Sequence, residues 1–132
     1  MERPRARIFI VEDNALNLQL HQDLLECRGH RVSSAATVGE AWAALQRERP
    51  DLLLLDIHIP GGGGERLLRE IRSAPSLSSL PVIAVTALAM EGDRERLLAQ
   101  GFDGYLAKPI DTRTFGAAVE AFLPDQGGDD GL

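Results

Sequence analysis

Two hydrophobic patterns alternate along the chain. Short, nearly continuous apolar runs occur at Arg7–Val11 (RIFIV), Asp51–Asp56 (DLLLLD) and Pro81–Thr86 (PVIAVT). They are rich in β-branched residues and leucine, and their length suits strands buried on both faces. Weaker strand patterns stand at Arg31–Ala35 and Gly104–Ala107. Between them lie amphipathic stretches of helical period. Over Asn14–Arg28, the residues Leu16, Leu20, Leu24 and Cys27 mark an apolar face, and Gly29 supplies a stop. Thr37 to Glu40 has capping-box spacing and predicts a helix running to about Arg49, ahead of Pro50. A short helix is predicted from Gly64 or Glu65 to Arg72. Another spans Leu88–Gln100 and stops at Gly101. A last one, capped by Asp111, turns Phe115, Val119 and Phe122 inward and ends at Pro124.

The pattern amounts to five βα units with no internal repeat. Strands alternating with helices predict a parallel sheet covered on both faces. Five strands fit the flavodoxin-like, doubly wound α/β order 2-1-3-4-5 in a single domain. That domain is expected over residues 7–123, with an arm at 1–6 and an acidic, glycine-rich tail at 124–132.

Composition narrows the function classes. The chain has 132 residues, a net charge of -6 and one cysteine, Cys27, so no internal disulfide is possible. A reducing, cytoplasmic setting is expected. Met1–Arg7 lacks an apolar run, so no signal peptide is read there, and no apolar run is long enough to span a membrane. The negative balance disfavours direct contact with nucleic acid. Of the 14 basic residues only Lys108 is a lysine. His21 and His30 read as surface residues, and Cys27 and Trp42 as helix packing.

Ligands of doubly wound sheets bind beyond the carboxyl ends of the strands. The first strand ends in Glu12-Asp13, the third in Asp56, the fourth in Thr86 and the fifth in Lys108-Pro109. In the proposed order the first and third strands are neighbours, so Glu12, Asp13 and Asp56 should cluster. Three close carboxylates repel, and a hard divalent cation such as Mg²⁺ relieves the conflict. Lys108 offers a mobile point charge and Thr86 a hydroxyl, both suited to phosphoryl oxygens on Asp56. Taken alone, Glu12 and Asp13 would be acids favoured at a helix start, and Thr86 an ordinary strand residue. The combination carries the signal.

The motifs E-D, D-I-H-I-P, V-T-A and K-P, in this order and at strand ends, resemble the receiver domains of two-component signalling over about Ile8 to Leu123. The stretches IVEDNALN and VTALAMEGD most resemble stand-alone receivers of the DivK type, and receivers of hybrid histidine kinases are similar there. The resemblance implies that Asp56 accepts a phosphoryl group from a histidine kinase or a histidine phosphotransfer protein. It makes Glu12, Asp13, Asp56 and the His58 backbone carbonyl the Mg²⁺ site, with Glu12 acting through water. It gives Thr86, Lys108 and the Ala87 N–H to the phosphoryl oxygens. Thr86 and Tyr105 become switch residues, and the Lys108-Pro109 peptide is expected to be cis. Output would pass to a protein target through the face of the fourth helix, fifth strand and fifth helix, at Leu88, Met90, Arg94, Tyr105 and Thr112. Such a module is expected to be a monomer or weak dimer. If the chain is whole, output is by protein contact; if it was cut from a hybrid kinase, output is onward transfer.

One departure stands beside Asp56. The family's loop after Pro60 has a hydrophobic residue and an acid or Asn before its glycine, whereas here it reads Gly61-Gly62-Gly63-Gly64. Gly64 fits the family's glycine. The other glycines cost order, so a mobile loop is expected, with consequences for phosphate lifetime and metal affinity. No Gly-Lys-Ser/Thr follows, so the run is not a phosphate loop. Three rival readings use the same residues. A haloacid-dehalogenase-type phosphatase needs an Asp where His58 stands. A flavin-phosphate binder would be repelled by Glu12-Asp13. A receiver-like module acting without phosphorylation would have little use for the five-residue set.

Overall fold

The computed structural model describes residues 5–59, 63–87 and 92–123. Five strands, β1 (Arg7–Val11), β2 (Arg31–Ala35), β3 (Leu52–Asp56), β4 (Val82–Thr86) and β5 (Gly104–Ala107), alternate with five helices. The helices are α1 (Ala15–Glu26), α2 (Val38–Arg47), α3 (Gly63–Ser73), α4 (Asp93–Gln100) and α5 (Phe115–Glu120). The strands form one parallel sheet in the order β2-β1-β3-β4-β5. This is the flavodoxin-like arrangement that the alternating pattern predicts. No helix among the described residues is long and apolar enough to cross a membrane.

The sheet divides two apolar layers. Phe9, Val11, Leu53, Leu55 and Ala84 pack against α2, α3 and α4 on one face. Ile8, Ile10, Leu54, Ile83 and Val85 pack against α1 and α5 on the other. Every residue of β3 and β4 is buried. A continuous apolar run therefore serves both layers at once, which is why these two strands are the plainest in the sequence.

Local chemistry sets the helix ends. The Asn14 side chain accepts the Asn17 N–H and opens α1. Thr37 accepts the Glu40 N–H at 3.2 Å, while the Glu40 carboxylate accepts the Ala36 N–H at 3.0 Å. The helix so opened ends at Arg47, two residues earlier than the sequence suggests. Asp111 does not cap α5 itself. Its carboxylate accepts the Arg113 N–H and its carbonyl the Thr114 and Phe115 N–H groups, closing a turn that leads into the helix. Of the predicted fourth helix, residues 92–100 lie among the described residues, and the helix there runs from Asp93 to Gln100, with Gly92 ahead of it at φ of 93° and outside the helix. Leu88 and Met90 lie outside them, as do residues 1–4, Pro60, Gly61, Gly62 and the tail 124–132.

The face of α1 differs from the expected one. Leu16 is 83% exposed, Leu20 and Cys27 are exposed, and the buried residues are His21 and Leu25. Leu18 and Leu24 pack beside them. The inward stripe is thus Leu18, His21 and Leu25, with a histidine in a position normally given to an apolar residue. His21 stacks on Phe115 of α5 with ring centroids 5.0 Å apart, and its Nδ1 has no partner among the described residues.

His30 is buried too, contrary to the surface reading. The Ala6 N–H donates to its Nδ1 at 3.0 Å, so its Nε2 carries the proton and donates to Glu120 at 2.8 Å. Arg28 reaches the same Glu120 carboxylate with two bonds of 2.7 Å. The Arg28 bond holds Glu120 far down, at about 2, against the opposing effect of burial. This clamp ties the end of α1 to α5. It needs Gly116, because a Cβ there would collide with the Arg28 side chain.

His21 makes the fold acid-sensitive. Burial pushes its pKa from 6.5 down to about 4, and the Lys108 charge adds to the effect while Asp56 opposes it. A depressed histidine contributes stability that is present above its unfolded value and lost as pH falls toward its folded one. His21→Phe is expected to change stability little at pH 8. Near pH 4 it should stabilise by up to about 3 kcal/mol, measured by urea unfolding at the two pH values.

Candidate functional site

The sheet brings the carboxyl ends of β1, β3, β4 and β5 to one edge. Glu12 follows β1 and continues its ladder, donating its N–H to the Ala35 carbonyl at 3.0 Å. Its carboxylate is buried, with one oxygen accepting the Asn14 N–H at 3.1 Å. Asp13 is exposed. Asp56, the last residue of β3, is 5% exposed. One ligand oxygen from each of Glu12, Asp13 and Asp56 lies within 4.8 Å of the others.

Lys108 answers two of these charges. Its Nζ donates to Glu12 Oε1 at 3.0 Å and to Asp56 Oδ2 at 3.2 Å. The backbone places it there: the Lys108 N–H donates to the Thr86 carbonyl at 2.8 Å, extending the β4–β5 pairing, and the Lys108–Pro109 peptide is cis. The second Asp56 oxygen accepts the His58 N–H at 3.0 Å. An Asp that accepts the N–H two residues on forms an Asx-type turn. Both oxygens of Asp56 are therefore oriented.

The charges do not cancel. Three carboxylates face one ammonium, leaving about two negative charges in a pocket partly shielded from water. Burial pushes the Glu12 pKa up, with the Asp56 charge adding to the rise, while the Lys108 and Asn14 hydrogen bonds pull against it. Burial also works to lower Lys108. The hydrogen bond to Glu12 and the charges of Asp56 and Glu12 outweigh it, so Lys108 rises above its usual value and stays charged.

Other expected residues stand around this centre. Thr86 is fully buried at the end of β4, and Ala87, next to it, is exposed. His58 turns an exposed side chain outward. Tyr105 is half-buried in β5 and packs on the α2–α4 side of the sheet. Of the output-face residues, Arg94 and Thr112 are exposed. Gly63 and Gly64 belong to α3 rather than to a free loop. Gly63 has φ of 83°, and a Cβ on Gly64 would stand 2.8 Å from the Asp56 carbonyl oxygen. Glycine at both positions is thus a condition for seating α3 directly on the end of β3.

Sequence reasoning brought Glu12, Asp13, Asp56 and Lys108 together. It missed the His58 N–H as a fixed donor to Asp56 and the Asn14 N–H as the anchor of Glu12. The spacing of an acid two residues before each donor was the available signal.

Residues 8–120 match the family described as response regulator receiver domain. The polar-differentiation response regulator DivK of Brucella anthropi is 38% identical over 118 residues, covering 89% of this chain and 96% of that protein. The receiver domain of the sensor histidine kinase PA1611 from Pseudomonas aeruginosa was solved with a magnesium ion coordinated in its active site cleft. It is 34% identical with a TM-score of 0.80, covering 90% of this chain and 98% of that one. The chemotaxis response regulator CheY4 of Vibrio cholerae shares the fold, with a TM-score of 0.85 at 24% identity over 91% of this chain and 100% of that one. The chain belongs to the response regulator receiver domains and is similar to DivK; its family is a signalling family of two-component systems whose members interact with histidine kinases or phosphotransfer proteins.

Proposed function

We propose that Asp56 is the phosphoacceptor of a DivK-like receiver. An Asp56 carboxylate oxygen attacks the phosphorus of a phosphohistidine on a histidine kinase or phosphotransfer protein. The P–N bond breaks as the O–P bond forms, and the imidazole leaves. The observation that carries this reading is the position of Lys108 Nζ, 3.0 Å from Glu12 and 3.2 Å from Asp56, within a cluster of three carboxylates. Such an amine can follow a phosphoryl group placed on Asp56.

The donor set fits Mg²⁺. It consists of hard oxygens, it carries about two uncompensated negative charges, and two of the carboxylates are anchored by backbone N–H groups. Asp13, Asp56 and the His58 carbonyl would hold the ion, with Glu12 acting through water. When bound, it supplies neutralisation of the charge on the transferring phosphoryl oxygens. The chain's own groups do the rest. Lys108, the Thr86 hydroxyl and the Ala87 N–H bind those oxygens. The His58 N–H keeps Asp56 oriented for attack. The shift of Thr86 toward the phosphoryl group, with Tyr105 turning inward, changes the α4–β5–α5 face that a protein target reads.

The exposed leucines of α1 support access by a protein donor. Leu16 and Leu20 lie one turn apart on the helix that starts directly after Glu12-Asp13. The phosphatase reading loses ground because His58 holds its Asp56-facing N–H in place and offers no second carboxylate.

Incubation of the chain with acetyl phosphate and Mg²⁺ should yield one phosphoryl adduct by intact mass, absent from Asp56→Ala. No adduct, or one that survives that change, would contradict the reading, as would turnover of phosphate esters at enzyme-like rates. Lys108 gives a second expectation. Its raised pKa means that its stabilisation is complete below about 10.5 and is lost only as pH rises beyond that value. Lys108→Met should therefore cost about 1–3 kcal/mol at pH 8 in metal-free urea unfolding. The cost should shrink near pH 4, where Glu12, with its raised pKa, is mostly protonated.

A further inference from the structure

A cleft of about 490 Å³ opens far from the phosphoacceptor, between the edge strand β2 and the end of α2. Its position follows from topology. Arg7 and Arg31 begin β1 and β2, and Arg47, Glu48 and Pro50 lie where α2 returns to the amino ends of the strands. The cleft is thus at the opposite end of the sheet from Asp56.

Small side chains create it. On β2, Ser33 pairs in register with Phe9 of β1, whose side chain belongs to the layer under α2. A strand alternates its faces, so Ser33 occupies the place where the edge strand would carry an apolar residue toward α2. The facing helix position is Ala44. Ser33 and Ala44 together leave a gap walled by Phe9 and Pro50.

Charge gathers around that gap. Arg7, Arg31 and Arg47 line it against a single carboxylate, Glu48, in a chain whose net charge is -6. Glu48 is already engaged by Arg7 at 2.6 Å, and Asp51, near the same end, accepts the Arg7 backbone N–H at 2.8 Å. The guanidinium groups of Arg31 and Arg47 have no hydrogen-bond or ion-pair partner among the described residues, and both residues are exposed. Two forked cations beside the Ser33 hydroxyl and an apolar wall suit a planar anionic head attached to an apolar body.

We propose that this β2–α2 cleft is a binding site for a small organic anion, with a phosphate or carboxylate head held by Arg31 and Arg47 and an apolar body against Phe9, Ala44 and Pro50. Its volume lies within the range of about 300–1,000 Å³ typical of small-molecule sites. The phosphoacceptor edge stays open when the cleft is filled, so the two sites are separable by experiment.

The test is an NMR titration of the ¹⁵N-labelled chain with phenyl phosphate, benzoate and inorganic phosphate, each added to metal-free buffer. Saturable shifts are expected at the amides of residues 7, 31–34 and 44–48, with phenyl phosphate binding about tenfold tighter than inorganic phosphate. The double variant Arg31→Ala/Arg47→Ala should weaken phenyl phosphate by at least about tenfold. Ser33→Leu, which keeps every charge but fills the gap, should abolish binding, with the rest of the spectrum preserved in both variants. Absence of saturable shifts would overturn the proposal, as would shifts confined to residues around Lys108 or unchanged affinity in the double variant. Equal affinity for phenyl phosphate and inorganic phosphate, or full binding by Ser33→Leu, would remove the cleft from the account and leave only surface charge.

Discussion

The bridge from Lys108 to Glu12 and Asp56 is the interaction on which the site depends. Two buried acids at adjoining strand ends would repel if both were ionised, and burial alone would drive a proton onto one of them. Lys108 makes their ionised state tolerable without cancelling it. The ammonium meets one oxygen of each acid, while backbone N–H groups of Asn14 and His58 hold the other oxygens. The result is a fixed pocket of surplus negative charge with a cation on a flexible stem beside it. That is a stable starting point for chemistry at a phosphoryl group, because the charges are arranged in advance.

The frame behind this pocket is apolar and stiff. β3 and β4 are buried along their whole length, so acids and hydroxyls are tolerated only where the strands run out. Gly64 lets α3 sit against the end of β3, which fixes the backbone that carries Asp56 and His58. On the other side of the sheet, Arg28, His30 and Glu120 lock α1 to α5, and Gly116 provides the room. α1 begins at the acidic pair and α5 follows the Lys108 loop, so this clamp also holds the two sides of the site in register.

The central strands were legible because a doubly buried strand must be written as a nearly unbroken apolar run, whereas the edge strands β2 and β5 are only partly buried and gave weaker patterns. The clustering of Glu12, Asp13 and Asp56 was legible for the same reason: an acid directly after such a run has only the sheet edge to occupy. The helices were less transparent. α1 carries leucines on two faces, and the face that packs inward includes His21, which reads as polar. Sequence reasoning chose Leu16, Leu20, Leu24 and Cys27; of these Leu24 packs inward, beside Leu18, His21 and Leu25, while Leu16, Leu20 and Cys27 are exposed. His30 is buried because its two ring nitrogens find partners 24 and 90 residues away, and no local pattern announces those. The four-glycine run reads as a mobile loop; its two members among the described residues, Gly63 and Gly64, answer to a positive φ and a close backbone approach.

If Asp56 is the phosphoacceptor, the phosphoryl group is carried by its carboxylate and by no neighbouring group. Borohydride reduces an acyl phosphate to the alcohol and releases phosphate, so it marks the acceptor permanently. After phosphorylation, borohydride reduction and peptide sequencing by tandem mass spectrometry, homoserine is expected at position 56 alone. Reduction at Glu12 or Asp13, phosphate retained on a histidine, or no reduced residue in a chain that carries the adduct would contradict it.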